Sequence, residues 1–148
     1  MNMSRSRLVA LAAVAAGVAT AAVAVPAGAA VSLQSESPPA ATLNLGGKAR
    51  LDANGAVVFT SVSLTCPRRA EGYLRVRVTQ AVGNAIASGE SDTVTVRCTG
   101  SEQRFSLSVS PTQRPFRKGV AFGRAVADVC PGPCETTVDE HNIQIVTK

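Results

Sequence analysis

The chain contains no tryptophan, one tyrosine and a single histidine, His141, so it is poor in the residue types that most often act as catalytic bases or stacking platforms. His141 follows Asp139 and Glu140 in a polar stretch, and no G-x-S-x-G turn is present to expose a nucleophilic serine. None of the 10 acidic residues sits in a recognisable hydrolase motif. The sequence therefore predicts a protein that is not an enzyme, with His141 at the surface.

Metal-binding and redox motifs are missing as well. Structural zinc sites usually show paired C-x-x-C or H-x-H spacings, and neither spacing occurs here. Cys130 and Cys134 are separated by three residues, two of them proline, which differs from the C-x-x-C of thiol oxidoreductases. We expect no metal and no cofactor.

Residues 1–30 have the three parts of a cleavable signal peptide. Arg5 and Arg7 give a positive start, an uncharged run rich in Ala and Val covers residues 8–25, and Ala-Gly-Ala at 27–29 is a small-x-small cleavage site. A retained anchor is the alternative, because the run approaches the roughly 18 to 20 residues that span a bilayer. The proline and small residues after the run favour cleavage, and no cysteine lies there to carry a lipid. We expect a secreted, extracellular protein without membrane association once the leader is removed.

All four cysteines, Cys66, Cys98, Cys130 and Cys134, lie after the leader, where an exported chain meets oxidising conditions and thiols pair. Four cysteines allow three pairings. The Pro-Gly-Pro between Cys130 and Cys134 can turn the chain back on itself, which leaves Cys66 to pair with Cys98. The sequence predicts two disulfides, one closing a long loop and one closing a short loop.

The rest of the chain is predicted to be a flexible segment, residues 31–40, followed by one domain over residues 41–148. Short segments of alternating apolar and polar residues follow one another in this domain, separated by turn-forming residues. The predicted strands are 42–45, 56–66, 73–80, 93–98, 104–110, 120–129 and 136–147, with turns at 46–47 and 52–55. About seven such strands indicate an all-β fold, an immunoglobulin-like two-sheet antiparallel sandwich, although the tryptophan of antibody domains is absent.

The segment 120–129 has two alternating faces that differ in charge. Arg124 and Asp128 share a face with Val120, Phe122 and Val126, whereas the opposite face carries only small or apolar residues. Because charged side chains are rarely buried without partners, the sequence predicts that the face with Arg124 meets solvent. Phe122 and Val126 should then be partly exposed.

A group of arginines forms the one candidate binding face. The part after the leader has 13 of the 15 lysines and arginines and all 10 acidic residues, so its formal net charge is +3. Arg75 and Arg77 share the outer side of one predicted strand, and Arg68 and Arg69 lie in the turn before it. Arg97 joins them if its strand is adjacent. These cations could attract a phosphate-rich envelope polymer; the alternative is a solvated face that limits edge-to-edge aggregation.

Nucleic acid is not an expected partner. No DNA- or RNA-binding motif accompanies the arginines, and Tyr73 alone is a poor platform for stacked bases. The anionic polymer therefore remains the partner that the charge pattern favours.

Four segments carry a resemblance to known proteins: VSLTCP (62–67), YLRVRVTQ (73–80), VRCTG (96–100) and FRKGVA (116–121). They resemble a family of small secreted actinobacterial proteins of unknown function. The resemblance implies an exported β-sandwich and assigns no site residues. A looser likeness, to the apoproteins of enediyne antibiotics, implies a carrier of a small apolar ligand, but this chain is basic and poor in aromatic residues.

Three functions are therefore compatible with the sequence. The first is a non-catalytic binding module of the extracellular space or cell envelope. The second is a structural or protein-interaction domain, and the third is a carrier of a small apolar ligand.

Overall fold

The computed structural model describes residues 41–147. The predicted leader, residues 1–30, and the predicted flexible segment, residues 31–40, lie outside the described residues. The described part contains eight strands: β1 (Thr42–Asp52), β2 (Val57–Thr65), β3 (Glu71–Val82), β4 (Ala85–Glu90), β5 (Val94–Arg97), β6 (Gln103–Pro111), β7 (Gly119–Cys130) and β8 (Glu135–Val146). Apart from one short 3-10 turn, Ala53–Gly55, these residues form no helix, so none of them makes a helix that could cross a membrane.

Seven of the strands close into one hydrogen-bonded ring in the order β4-β6-β2-β1-β8-β7-β3. The pairing of β3 with β4 completes the ring. The all-β prediction is confirmed, but the strands do not separate into two independent sheets. The ring closes through two narrow junctions. Gly89 and Glu90 of β4 pair with β6, and residues 48–50 of β1 run parallel to residues 144–146 of β8. The eighth strand, β5, pairs with β3 alone.

The alternation of residue types along β2 and β3 explains why these segments form strands, each with one buried face. In β2 every second residue from Val58 to Leu64 is buried, and in β3 the same holds from Gly72 to Gln80. Such alternation buries one face of a strand and leaves the other to solvent. The interior of the ring is filled by these residues together with Ile143 and Ile145 of β8. The alternation that predicted strands at 56–66 and 73–80 is confirmed by this burial.

The inner face of β7 consists of small residues because β1 packs closely against it. A Cβ atom on Gly123 would lie 2.7 Å from Cδ2 of Leu45. The outer face is the predicted one, since Val120 and Phe122 are exposed. Val126 differs from the prediction: it is only 8% exposed. Its register neighbours, Arg75 on β3 and Val138 on β8, flank it on both sides.

Two elements differ from the sequence expectation. The predicted turn at Gly46-Gly47 is wrong, because β1 continues through it with a shift of register between Leu45 and Ala49. A bulge inserts extra residues into a strand without ending it, and glycine commonly occupies such positions. Residues 85–90 form β4 rather than a connection. Their Ala, Ser and Gly residues give little apolar alternation, which is why the sequence concealed this strand.

Both disulfides have the predicted pairing. Cys66 is bonded to Cys98, which lies 32 positions later in the chain, and Cys130 is bonded to Cys134, which lies 4 positions later. The long bridge is buried and joins the end of β2 to the end of β5, whereas the short one lies at the exposed turn between β7 and β8.

The connection from β6 to β7 is fixed at several points although it contains no regular structure. Phe116 is fully buried in the core, and its N–H donates to the carbonyl of Gly55 at 2.9 Å. The buried amide of Gln80 binds the backbone of Arg117 in both directions, at 2.8 Å for each hydrogen bond. Thr112 donates from its N–H and hydroxyl to the carbonyl of Ser88. The exposed side chains of this connection are therefore presented from a well-held backbone.

Candidate functional site

The structure divides the predicted arginine face into two parts. Arg75 and Arg77 lie on the outer side of β3, as expected from strand alternation. Arg68 and Arg69 lie in the turn from β2 to β3, beside the disulfide between Cys66 and Cys98. The two pairs differ in their charged neighbours.

Arg75 and Arg77 are both ion-paired. Nη2 of Arg77 lies 3.0 Å from Oε2 of Glu90, and Nη1 of Arg75 lies 3.4 Å from Oδ2 of Asp128. Nε of Arg75 is also 3.7 Å from Oε1 of Glu90. These partners come from β4 on one side and β7 on the other. The positive field that the sequence suggested over β3 is thus largely offset by adjacent carboxylates.

The same compensation continues across the sheet. Glu90, Arg77, Arg124 and Glu140 form one row of register neighbours over β4, β3, β7 and β8. Nε of Arg124 lies 3.5 Å from Oε2 of Glu140. In this row two carboxylates flank two central arginines, so a long polyanion that crosses the sheet would meet as many repelling groups as attracting ones.

Arg68, Arg69 and Arg97 instead surround a depression of about 570 Å³ that is also lined by Cys98 and Thr99. We call this group the arginine groove. Arg97 joins it because β5 pairs with the start of β3. Among residues 41–147, the ion pairs within 4.0 Å involve other cations, and none includes a guanidinium of the groove. All three arginines are exposed.

The backbone around the arginine groove is held by hydrogen bonds and by the disulfide. The N–H of Arg69 donates to the carbonyl of Cys98 at 2.9 Å, and the N–H of Cys98 donates to that of Ala70 at 3.0 Å. Nε of Arg68 donates to the carbonyl of Thr99 at 3.2 Å, which fixes this guanidinium over the turn. A groove that is already rigid loses less conformational entropy when it binds a ligand.

Arg69 has an unusual backbone conformation. Its φ is +73°, in the left-handed region that residues other than glycine adopt infrequently. Such conformations cost free energy and persist where the surrounding structure imposes them, often at functional sites. Here the surrounding structure is the disulfide-linked turn, and the conformation directs consecutive arginines into the solvent.

In the register of β3 and β5, the acidic residue opposite Arg97 is Glu71, and the two side chains form no ion pair within 4.0 Å. The carboxylate of Glu71 accepts a hydrogen bond from the hydroxyl of Tyr73 at 3.3 Å and lies outside the lining of the groove. The groove therefore keeps a positive character.

His141 lies elsewhere and has a structural contact. Its Nδ1 is 3.2 Å from Oδ1 of Asp139, and Oδ2 of Asp139 accepts a hydrogen bond from the N–H of Leu45 at 2.6 Å. This contact joins β8 to β1 ahead of the short parallel junction between them. Among the described residues, no three His, Cys, Asp or Glu side chains gather in the manner of a metal site.

A larger depression, of about 720 Å³, lies over β1, β2 and β6, and its lining includes three serines, Asn44 and the apolar Val62 and Phe105. The charges at its edge, Arg104 and Glu102, form an ion pair at 2.7 Å. Hydroxyl groups and one closed ion pair give this surface little to select a charged ligand.

Comparison with known proteins gives only distant structural likenesses. No family model matches the chain, and no curated protein sequence matches it. The major subunit of aggregative adherence fimbriae type I from Escherichia coli, AggA, has 12% identity and a TM-score of 0.38, covering 73% of this chain and 94% of its own. Murine CRIg has 12% identity and a TM-score of 0.41, with 73% and 98% covered. A chaperone–tip adhesion subunit complex of Acinetobacter baumannii Csu pili has 11% identity and a TM-score of 0.37, with 72% and 57% covered.

At this level of similarity the comparisons define no family for the chain. The resemblance to small secreted actinobacterial proteins, and the looser one to enediyne apoproteins, therefore stay predictions. Function has to be argued from the surface of the molecule itself.

Proposed function

We propose that this chain is a secreted, immunoglobulin-like binding domain without catalytic activity, and that it holds an anionic, phosphate-rich polymer of the cell envelope in the arginine groove. One observation carries the proposal: three exposed guanidinium groups, those of Arg68, Arg69 and Arg97, surround one depression without a carboxylate partner among residues 41–147. Two disulfides are compatible with an extracellular setting.

The chemistry of the groove suits an anionic phosphodiester polymer better than a neutral polymer. A guanidinium presents several N–H donors in a plane and binds phosphate oxygens in a bidentate manner. Three of them on a rigid turn can contact successive phosphates of a flexible chain. Binding then depends on charge and spacing, as expected for a repetitive polymer.

The test compares two triple variants with the same change of net charge. We expect the protein to bind immobilised poly(glycerol phosphate) at low salt, and binding should weaken with rising salt along a log–log slope of about 2 for three neutralised phosphates. Substituting Arg68→Gln, Arg69→Gln and Arg97→Gln should remove most of this binding and most of the slope. The matched control substitutes Arg75→Gln, Arg77→Gln and Arg124→Gln, whose cations are already ion-paired.

If the arginine groove is the binding site, the variant with substitutions in the groove loses binding and the control variant keeps it. The control should bind nearly as well as the parent protein in surface plasmon resonance across the salt series. Equal weakening of both variants would mean that binding follows net charge alone, and failure of the parent to bind at low salt would refute the proposed ligand.

A further inference from the structure

Exposed apolar side chains concentrate at one end of the outer surface formed by β4, β3 and β7. The three most exposed large apolar residues among those described are Ile86 at 64%, Val120 at 62% and Phe122 at 44%. Ile86 is the register partner of Ala81, and Phe122 is the partner of Thr79, so neighbouring positions of β3 lie between them. We call Ile86, Val120 and Phe122 the apolar patch. Single exposed apolar residues are ordinary on a protein surface, but a contiguous group indicates contact with another body.

A basic segment borders the apolar patch. Arg114, Arg117 and Lys118 are exposed, and Lys118 lies two residues before Val120. Within the described part of the chain, the ion pairs leave out all three of these cations. Three uncompensated cations therefore stand beside the most apolar part of the surface.

The segment that carries these cations is anchored to the domain. Phe116 is buried between Arg114 and Arg117, and the amide of Gln80 binds the backbone of Arg117 through two hydrogen bonds of 2.8 Å. Movement of this segment away from the patch would expose Phe116 and break both bonds. The cations and the apolar side chains thus form one preassembled surface.

We infer that this surface docks onto an anionic lipid bilayer, with the apolar patch at the boundary of headgroups and acyl chains and the basic segment among the headgroups. Peripheral membrane surfaces combine the same two features, buried apolar area and attraction between cations and anionic lipid. Both features together argue for this occupant, since an anionic bilayer neutralises the cations and buries the apolar patch at once. A neutral or basic protein partner would leave three cations uncompensated, and a soluble polyanion would leave the apolar patch in water. An acidic protein partner is the competing occupant, and it would be indicated if the protein failed to bind anionic vesicles.

This inference revises the expectation from the sequence that the protein leaves the membrane once its leader is removed. That expectation rested on cleavage of the leader and on the lack of a nearby cysteine to carry a lipid, and peripheral docking needs neither an anchor nor a lipid. It is also independent of the proposed function. The arginine groove lies at the start of β3 and the apolar patch near its end, and the 12 residues of this strand span roughly 35 Å.

Sedimentation with lipid vesicles tests the contribution of the cations to membrane binding. We expect the purified protein to sediment with vesicles made of equal parts phosphatidylglycerol and phosphatidylcholine, and to stay in solution with pure phosphatidylcholine. Arg117→Gln with Lys118→Gln should weaken this partition about 30-fold, since each cation near an anionic surface contributes about 5-fold. The matched control, Arg75→Gln with Arg104→Gln, removes two cations that are already ion-paired and lie outside the basic segment, and partition should stay within about 2-fold of the parent. Arg75 lies four positions before Thr79 on β3, roughly 13 Å from the patch and beyond the screening length of about 8 Å.

The apolar contribution to vesicle binding is tested by substituting each of two valines on the same outer surface. Val120→Ser should weaken partition about 5-fold through the lost apolar burial. Val138→Ser is the control, since Val138 is 42% exposed but is a neighbour of Val126, away from the patch. Val138→Ser should leave partition unchanged. Equal effects of the two substitutions would overturn the assignment of the patch.

Because the chain contains no tryptophan, a substitution can report insertion directly. Phe122→Trp should show a blue shift of fluorescence with the anionic vesicles, whereas Tyr73→Trp, toward the other end of β3, should show none. An unshifted Phe122→Trp spectrum, or equal binding to neutral and anionic vesicles, would refute docking. A lipid-free dimer that Val120→Ser dissociates in light scattering would assign the patch to a second copy and refute it as well.

Discussion

Replacing Cys66 and Cys98 together by alanine is expected to lower the free energy of unfolding by about 3 to 4 kcal/mol. The bridge closes a loop across 32 residues, and a cross-link of this length removes that much conformational entropy from the unfolded chain in the loop-closure model. Both cysteines are buried in the core beside the arginine groove. Urea unfolding of the parent and the variant, followed by circular dichroism, measures the difference.

The short bridge provides the control. Cys130 and Cys134 are only 4 positions apart in the chain, so their replacement by alanine should cost about 2 kcal/mol. A larger cost for the short bridge than for the long one would contradict this account. Such a result would mean that native contacts of the exposed turn, rather than loop length, dominate the stabilisation.

Phe116→Ala is expected to destabilise the domain by about 3 to 5 kcal/mol. Phe116 is fully buried, and truncation of a buried phenylalanine removes its transfer free energy and leaves a cavity. The loss should also free the neighbouring backbone, since the N–H of Phe116 is bonded to the carbonyl of Gly55. Chemical denaturation gives the change in stability.

The matched substitution is Phe122→Ala, the same change at a residue that is 44% exposed. It should cost less than about 1 kcal/mol, because most surface substitutions have small effects on stability. If the two substitutions were equally damaging, burial of Phe116 would not explain its contribution. The comparison also shows whether the apolar patch can be altered without loss of the fold.

Strands with regular alternation were predictable from sequence. In β2, β3 and β6, valine and leucine recur at most of the alternate positions, whereas β8 shows this spacing only at Ile143 and Ile145; the structure buries most of these residues. Periodicity of this kind depends only on local geometry, because successive side chains of a strand point to opposite faces. The disulfide pairing followed from the Pro-Gly-Pro turn, which left Cys66 to pair with Cys98.

Features that depend on distant residues were not predictable. The bulge after Leu45 forms where β1 leaves its register with β2 and meets β8, which no local pattern records. Phe116 lies between prolines and basic residues, a setting typical of an exposed loop, yet it fills the core. Closure of the strands into a ring depends on β4, whose small polar residues resemble a connection.

The candidate site was predictable in part. Sequence identified the cluster of arginines, but it could not distinguish Arg75 and Arg77 from Arg68 and Arg69. The distinction depends on Glu90 and Asp128, which reach β3 from strands 13 and 53 positions away. Arg97 entered the cluster only through the pairing of β5 with β3. Which charges meet across a sheet depends on the order and register of its strands, and a short sequence segment does not contain that information.

Closure of the ring has a consequence for how the protein behaves at high concentration. An open sheet ends in rows of unpaired backbone groups that can template pairing with another chain and lead to aggregation. In this ring β4 and β6, which would otherwise be outer strands, are joined to each other where Gly89 and Glu90 pair with the end of β6. Among the described strands, β5 pairs with one neighbour only, and it is 4 residues long and ends in Arg97. A four-residue strand that ends in arginine is a poor template, so this edge should resist edge-to-edge assembly when the protein is concentrated.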